Sequence, residues 1–241
     1  MRDIIKNTDT AKLAQMTISA LTSTLEVDNE DGILLLLSGG SALSLVAHME
    51  IPKSIIPNLT IGMIDERYDV DPTINNFLLL EQTELYQNAK QAGVSFISSV
   101  PIADESLDAL ALRMELSWKH WMHTHPKGKI VALLGVGPDG HTAGMLPFPE
   151  DPLLFERLFL EPSCIVVGYH AENKNQYPFR ATATLTFLKD YVDETVVYMS
   201  GASKARAFSD ILSAEGDLCK TPARILRNMK HVQLFTDISS T

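Results

Sequence analysis

Apolar residues in this chain follow two kinds of pattern. The segment TAKLAQMTISALTSTL places Leu13, Met16, Ile18, Leu21 and Leu25 at roughly helical spacing, with polar residues between them. This spacing predicts an amphipathic helix near the start of the chain. DESLDALALRMELSWKHWMHTH shows the same periodicity over a longer stretch and predicts a long helix.

Short, continuous apolar runs lie between the helical patterns. GILLLLSGGS, LTIGMIDER, KIVALLGVG and ETVVYMSGAS each pass from such a run into glycines or charged residues. This is typical of strands buried on both faces of a parallel sheet. CIVVG and HVQLF predict further short strands, and a helix from about Leu43 to Met49 should follow the first run. The alternation predicts an α/β fold: a single doubly wound, mostly parallel sheet flanked by helices, Rossmann-like in arrangement.

Length and charge narrow the class of protein. We expect the 241 residues to form a single domain, 1–241. No apolar run approaches the ~20 residues that a membrane span needs, and the first residues lack a secretory-signal pattern, so we expect a cytoplasmic protein without a membrane partner. The formal net charge of −10 argues against nucleic-acid binding, because phosphate-backbone contacts need clustered Lys and Arg.

Polar or glycine-rich motifs follow four of the predicted strands. They span Ser38 to Ser41, Asp65 to Arg67, Gly135 to His141, and Gly201 to Lys204. In open α/β sheets, ligands bind at the carboxyl ends of the strands, near the point where strand order reverses. We therefore expect these four loops to converge on one pocket.

The first two motifs each have a functional and a structural interpretation. In SGGS, glycines let backbone N–H groups approach an anion at a helix start, which favours phosphate binding; a plain strand-to-helix turn is the alternative. In DER, Arg67 is a candidate to bind an anion or to stabilise developing negative charge. The alternative for DER is an internal ion pair that holds the loop.

The stretch LLGVGPDGHTAGMLPFP satisfies the G-x-G-x-x-G spacing of a dinucleotide-binding loop. Such a loop must lead directly into a long helix, which the prolines that follow do not allow, and Pro138 removes a backbone donor from the turn. We favour the second interpretation, in which Gly140 permits a sharp turn that presents Asp139 and His141. A neutral histidine there is a credible general base.

The remaining cationic and histidine-rich segments complete the candidate site. Arg180, before a Thr-rich segment, and Lys204, at a strand-to-helix transition, together form the basic patch that an acidic protein needs for a phosphorylated substrate. HWMHTH contains three histidines but no well-spaced carboxylate or cysteine completes a zinc pattern, so no metal site is predicted. No G-x-S-x-G nucleophile elbow occurs, which disfavours a serine hydrolase mechanism.

Taken in order, these motifs resemble those of the 6-phosphogluconolactonases, within the wider group that includes the glucosamine-6-phosphate isomerases. The resemblance rests on SGGS, DER followed by NN, GVGPDGHTAGMLP, RATAT and GASK. It implies hydrolysis of 6-phospho-D-glucono-1,5-lactone to 6-phosphogluconate, in the oxidative pentose phosphate pathway. It implies neither a metal nor an organic cofactor, and we expect a monomer or a homodimer.

The resemblance also implies a role for each candidate residue. His141 would deprotonate the attacking water, Asp139 would orient the loop or the imidazole, and Arg67 would stabilise the oxyanion. The phosphorylated sugar lactone is the expected partner. The residues implied to bind it are Ser38, Gly39, Gly40, Ser41, Asp65, Arg180 and Lys204.

Two departures bear on the reaction and the substrate. The isomerases carry a glutamate where this chain has Leu146, and Asp-Glu-Tyr where it has Asp-Glu-Arg, so both differences favour hydrolysis. Lactonases usually continue the first motif with Thr-Pro, where this chain has Ala42 and Leu43, and DVDPTINN also diverges. The exact sugar therefore stays open. The alternatives are an isomerase or deaminase acting on an amino-sugar phosphate, and a non-catalytic sugar-phosphate sensor.

Overall fold

The apolar runs form the strands of a central sheet in the computed structural model. The structure describes residues 3–27, 30–161 and 163–239. In that part of the chain the strands are β1 (Asp3–Lys6), β2 (Ile33–Leu37), β3 (Leu59–Met63), β4 (Asp65–Arg67), β5 (Ser95–Ile97), β6 (Lys129–Gly135), β7 (Val166–His170), β8 (Phe179–Ala183), β9 (Glu194–Met199) and β10 (His231–Thr236).

The central sheet has seven parallel strands in the order β1-β10-β9-β6-β2-β3-β5. Strand β2 is paired on both edges, with Leu35 opposite Ile61 of β3 and Val131 of β6. Chain order runs outward from β2 to β3 and β5, then returns to β6 on its other side. The reversal between β2 and β6 therefore places a ligand-binding crevice at the carboxyl ends of these two strands.

Helices cover both faces of this sheet. Among the described residues they are α1 (Thr10–Glu26), α2 (Ser41–Val46), α3 (Asn76–Glu81), α4 (Glu84–Ala92), α5 (Leu107–Thr124), α6 (Pro152–Phe159), α7 (Leu185–Asp190) and α8 (Ala205–Leu212). Helix α1 begins where it does because the Asp9 carboxylate accepts hydrogen bonds from the N–H groups of Ala11 and Lys12, at 3.0 and 3.1 Å. None of the helices in the described ranges combines the length and apolar character needed to cross a membrane.

Alternation along β2 divides the hydrophobic core into two layers. Leu35 packs with Leu13 and Leu21 of α1 on one face of the sheet. Leu36 points to the other face and joins a cluster that contains Trp118 of α5 and Phe187 of α7. A strand buried on both faces needs apolar residues at every position, which explains the continuous ILLLL run of β2.

A second, smaller sheet stands beside the first and was not predicted. It has three antiparallel strands in the order β4-β8-β7, so the CIVVG strand belongs here and not to the parallel sheet. The predicted α/β class, with a mostly parallel sheet flanked by helices, is confirmed, and the structure adds this sheet to it. Helix α2 also begins at Ser41, earlier than expected, because its first backbone hydrogen bond runs from Ser44 to Gly40.

Candidate active site

A cavity of about 240 Å³ opens at the carboxyl ends of β2 and β6. Four predicted motifs meet there, as expected from the strand order. All but one of the predicted site residues line it: Ser38, Gly39, Gly40, Ser41, Asp65, Arg67, His141, Arg180 and Lys204. The exception, Asp139, is in direct contact with His141 at its edge. The sequence motifs therefore indicated which residues meet at the cavity, and the structure shows how they are arranged.

The turn after β6 joins Asp139 to His141 by a short hydrogen bond. Asp139 Oδ1 lies 2.5 Å from His141 Nδ1 and also accepts the His141 backbone N–H at 3.2 Å. Burial alone would raise the pKa of Asp139, but the hydrogen bond and charge of His141 outweigh it and lower that pKa. The carboxylate therefore fixes the imidazole through Nδ1, which leaves Nε2 as the nitrogen that can exchange a proton with a ligand.

Two glycines shape this turn by leaving no room for a side chain. A Cβ atom on Gly137 would lie 2.1 Å from His141 Cε1 and Nδ1, so the imidazole rests directly on the Gly137 backbone. Gly140 has φ +83°, and its Cα faces the Thr221 side chain. The Gly140 carbonyl in turn accepts the Ala223 N–H at 2.9 Å. The positions of the glycines thus set the position of the histidine.

The second sheet holds the other half of the same loop. Ala143 adopts φ +47°, a left-handed conformation that is unfavourable for alanine. Its carbonyl accepts a hydrogen bond from the Thr182 hydroxyl of β8. The next carbonyl, that of Gly144, accepts the Tyr169 hydroxyl of β7 at 2.6 Å. Burial raises the pKa of Tyr169, which keeps its hydroxyl protonated and able to donate.

The SGGS loop forms the wall of the cavity opposite His141. Gly40 has φ +62° and ψ −133°, a conformation that residues with a Cβ rarely adopt. A Cβ atom on Gly39 would lie 2.3 Å from Asn76 Oδ1, so this backbone packs against the Asn76 side chain. Asn76 is itself buried and donates to the Asp65 carbonyl at 3.0 Å. Both glycines are required by geometry, whichever ligand the loop receives.

The pairing of β4 with β8 forms the floor of the cavity and places three side chains there: Asp65, Arg67 and Arg180. Arg67 stands directly opposite Arg180 in this antiparallel pair. Asp65 is buried two pairs of residues along the ladder, opposite Thr182. Burial raises the pKa of Asp65, and the charges of Arg180 and Arg67 oppose that rise. The floor thus carries two guanidinium groups and one carboxyl group of lessened acidity.

Glu66 turns away from the cavity and anchors α3. Its carboxylate accepts the N–H groups of Asn76 and Phe77 at 2.5 and 3.0 Å, and the Ser99 hydroxyl at 2.6 Å. Burial raises its pKa to about 8, against the effect of these donors. The sequence left open an internal ion pair within DER. The structure replaces it with a helix-capping carboxylate, which satisfies backbone donors that a helix start leaves unpaired.

Lys204 approaches the cavity from the loop after β9. Asp237 holds this loop, because its carboxylate accepts the Gly201 N–H at 2.9 Å and the Ser200 hydroxyl at 2.8 Å. Burial lowers the pKa of Lys204, and the charge of Asp237 opposes that effect. A third cationic side chain is therefore fixed at the rim of the same cavity.

The three histidines of the HWMHTH segment lie at the C-terminal end of α5. His125 stacks on Trp121 with ring centroids 4.7 Å apart, and its Nδ1 lies 3.0 Å from the Trp121 carbonyl. Within residues 3–27, 30–161 and 163–239, no group of three or more His, Cys, Asp or Glu side chains is placed to hold a metal ion. The donor set of the cavity is dominated by cations and backbone groups, which suits an anionic ligand.

Sequence reasoning missed several residues that shape the cavity. Gly137 could have been identified from the sequence, because a glycine four residues before a candidate histidine in a tight turn is placed to contact its ring. Two of them lie in the loop between β7 and β8: Asn175 at the cavity, and Tyr177 with its ring beneath the Arg67 guanidinium. Nothing in their sequence context indicated this, since it depends on the antiparallel pairing of β4 with β8.

Comparisons with known proteins bear on the family and the fold. Residues 7–235 match the family model of glucosamine-6-phosphate isomerases/6-phosphogluconolactonase. A 6-phosphogluconolactonase from Rattus norvegicus is 30% identical over 214 residues, which cover 84% of this chain and 77% of the rat protein. A solved 6-phosphogluconolactonase from Shewanella baltica OS155 superimposes with a TM-score of 0.74 at 21% identity, covering 97% of this chain and 96% of that one. One from Trypanosoma brucei gives 0.73 at 19% identity, covering 98% and 96%.

Proposed function

Since the chain belongs to the glucosamine-6-phosphate isomerase/6-phosphogluconolactonase family, we propose that it hydrolyses 6-phospho-D-glucono-1,5-lactone to 6-phosphogluconate, a step of the oxidative pentose phosphate pathway. The carrying observation is the Asp139–His141 pair, at the edge of a cavity that Arg67, Arg180 and Lys204 also line. A base facing a cluster of cations matches an ester that carries a phosphate.

His141 acts as the general base in this proposal. Asp139 accepts a hydrogen bond from Nδ1–H of the neutral imidazole, so the Nε2 lone pair faces outward and removes a proton from water as the water oxygen attacks the lactone carbonyl. The carbonyl π electrons move to oxygen and give a tetrahedral oxyanion. When the oxyanion collapses, the ring C–O bond breaks, and the imidazolium returns its proton to the leaving oxygen. His141 thereby ends the cycle as it began.

Arg67 stabilises the oxyanion through fixed N–H donors. One of its terminal nitrogens, Nη1, is held by the Ile74 carbonyl at 3.2 Å, so the guanidinium has a defined position before the substrate arrives. Donors that need no reorientation during the reaction give the largest electrostatic contribution to catalysis. This explains why the oxyanion role suits an arginine that the strand pairing places on the floor of the cavity.

Arg180, Lys204 and the SGGS loop bind the phosphate. Arg180 is only 6% exposed, so an anion that it contacts is shielded from water and interacts strongly. Contacts to the phosphate are remote from the reacting carbonyl, and they serve to align the ester with His141. Asp65, which is buried near Arg67 and Arg180, is placed to contact a sugar hydroxyl.

Leu146 argues for hydrolysis over isomerisation. It is 1% exposed and belongs to the hydrophobic core, where its backbone N–H donates to the Tyr169 hydroxyl at 3.3 Å. An isomerase needs several placed acid–base groups to shuttle protons between carbons. The position that holds a glutamate in the isomerases here holds an apolar side chain packed away from the cavity.

The test is a purified-protein assay on freshly generated lactone, corrected for spontaneous hydrolysis and run with a metal chelator. Wild-type protein should accelerate ring opening. His141→Ala should lower kcat by roughly 100-fold or more, the usual effect of losing a general base. The His141→Ala protein should unfold at the wild-type temperature, because the imidazole lies partly exposed at the cavity edge. Near-normal turnover by a folded His141→Ala protein would exclude His141 as the base.

A further inference from the structure

The loop of residues 171–178, between β7 and β8, lies beside the cavity and is held at its base and near its middle. At its base, the Ala171 N–H donates to the Pro178 carbonyl at 2.7 Å. Further along, the Lys174 ammonium pairs with Glu150 and lies 4.6 Å from the centre of the Phe148 ring. Both partners follow the His141 turn in the chain. The loop is therefore fastened to the segment that carries the candidate base.

Tyr177 uses this loop to contact both arginines of the cavity floor. Its ring lies under the Arg67 guanidinium, with the central carbon 4.6 Å from the ring centre. Its backbone carbonyl accepts a hydrogen bond from Arg180 Nε at 3.1 Å. The side chain of one residue thus orients Arg67, while its main chain orients Arg180.

The two arginines need such support because of where the strands place them. They are directly opposite each other in the β4–β8 pair, and like charges in this position repel. In the part of the chain that the structure describes, their side-chain hydrogen bonds go to the carbonyls of Ile74 and Tyr177 and not to carboxylates. The Ile74 carbonyl fixes one nitrogen of Arg67, and the Tyr177 ring beneath the guanidinium restricts its remaining rotation.

We propose that the Tyr177 ring is a positioning element for catalysis, which fixes Arg67 for the oxyanion through a cation–π contact. The inference rests on the proposed lactone hydrolysis. The ring covers one face of the guanidinium and excludes water from it, so the N–H donors at the edge stay directed into the cavity. Because Arg180 is held by the Tyr177 backbone, replacing the side chain perturbs Arg67 and leaves the phosphate contacts in place.

Replacing Tyr177 with leucine removes the π face and keeps an apolar side chain. A cation–π contact contributes ~0.5–2 kcal/mol, which converts to a loss of about 2- to 30-fold in kcat. KM should stay within about twofold of wild type, since this variant does not touch Arg180 or Lys204. Tyr177→Phe keeps the ring and should restore most of the lost kcat. Phe179→Leu serves as the matched control. It removes an exposed aromatic side chain from the same hairpin, and this side chain packs against His170 and not against Arg67.

The measurements are steady-state lactone hydrolysis and thermal unfolding on all variants. A raised KM with unchanged kcat, or a Tyr177→Phe protein as impaired as Tyr177→Leu, would overturn the inference in favour of a purely structural loop. If Tyr177→Leu does not fold, pentafluorophenylalanine at position 177 keeps the ring size and reverses its electrostatics. Equal kcat for that protein and Tyr177→Phe would also overturn it. A wild-type protein without lactonase activity would instead refute the proposed function on which the inference depends.

Discussion

Gly137→Ala should impair catalysis while leaving the fold intact. The new Cβ would lie 2.1 Å from His141 Cε1 and Nδ1, and 2.7 Å from Asp139 Oδ1. To reach an ordinary contact of 3.4 Å, the imidazole must move by about 1.3 Å, which also breaks its alignment with Asp139. Because a misplacement of about 1 Å costs roughly 100-fold in rate, kcat should fall by about that factor.

Stability should respond differently from activity. Gly137 does not have a positive φ, so alanine is compatible with its backbone, and the ring that must move is partly exposed. Gly135→Ala is the matched control, since its Cβ would meet nothing closer than Ser41 Oγ at 3.8 Å. The assay compares kcat and unfolding temperature for both variants. If Gly137→Ala keeps wild-type kcat, the assignment of His141 as a rigidly held base is refuted; if it loses activity only because it unfolds, the expected separation of activity from stability is wrong.

Three further predictions follow from the same geometry. Asp139→Asn should lower kcat by about 100-fold or more at unchanged unfolding temperature, because an amide does not hold the Nδ1 proton as a carboxylate does; a folded variant with wild-type kcat would contradict this. Lys204→Ala should raise KM for the phosphorylated lactone, and wild type should process the unphosphorylated lactone poorly; equal kcat/KM for the two lactones would refute the phosphate site. Wild type should release no ammonia from glucosamine 6-phosphate above background, and robust release without lactone opening would favour the deaminase alternative.

Five of the seven strands described in the parallel sheet could be predicted, because each is a local apolar run, whereas the edge strands β1 and β5 were not predicted. The ILLLL run of β2 is apolar at every position and ends at Ser38, so its burial and its end are both visible in the sequence. Strand β4 is different, because its three residues, Asp65 to Arg67, are polar or charged. They form a strand only because β8 pairs with them across more than a hundred residues of chain. Pairing at that distance leaves no periodicity to read.

Some residues of the candidate site could likewise be predicted from the sequence, and others could not. Residues that face the cavity follow strand ends and are chemically distinctive, as are the histidine of DGH and the lysine of GASK, so motif reasoning located them. Asp139 was identified as a residue that orients the imidazole, but most of the residues that hold the site in place were not. Thr182 and Tyr169 are ordinary strand residues until their hydroxyls are seen to meet the carbonyls of Ala143 and Gly144. Such contacts depend on tertiary structure alone.

The two sheets therefore have separate tasks at the cavity. Parallel strands β2 and β6 each lead into a glycine-rich loop at one crevice. Glycine allows such a loop many conformations besides the required one. The antiparallel sheet removes that freedom: β8 and β7 bind the carbonyls that follow His141, and β4 with β8 supplies the arginines. Strand register thus sets the positions of the arginines and of the segment that follows His141, while the glycine turn sets the imidazole itself, so the candidate base and its electrostatic partner are both held before a ligand binds. This is the condition that a preorganised oxyanion site requires.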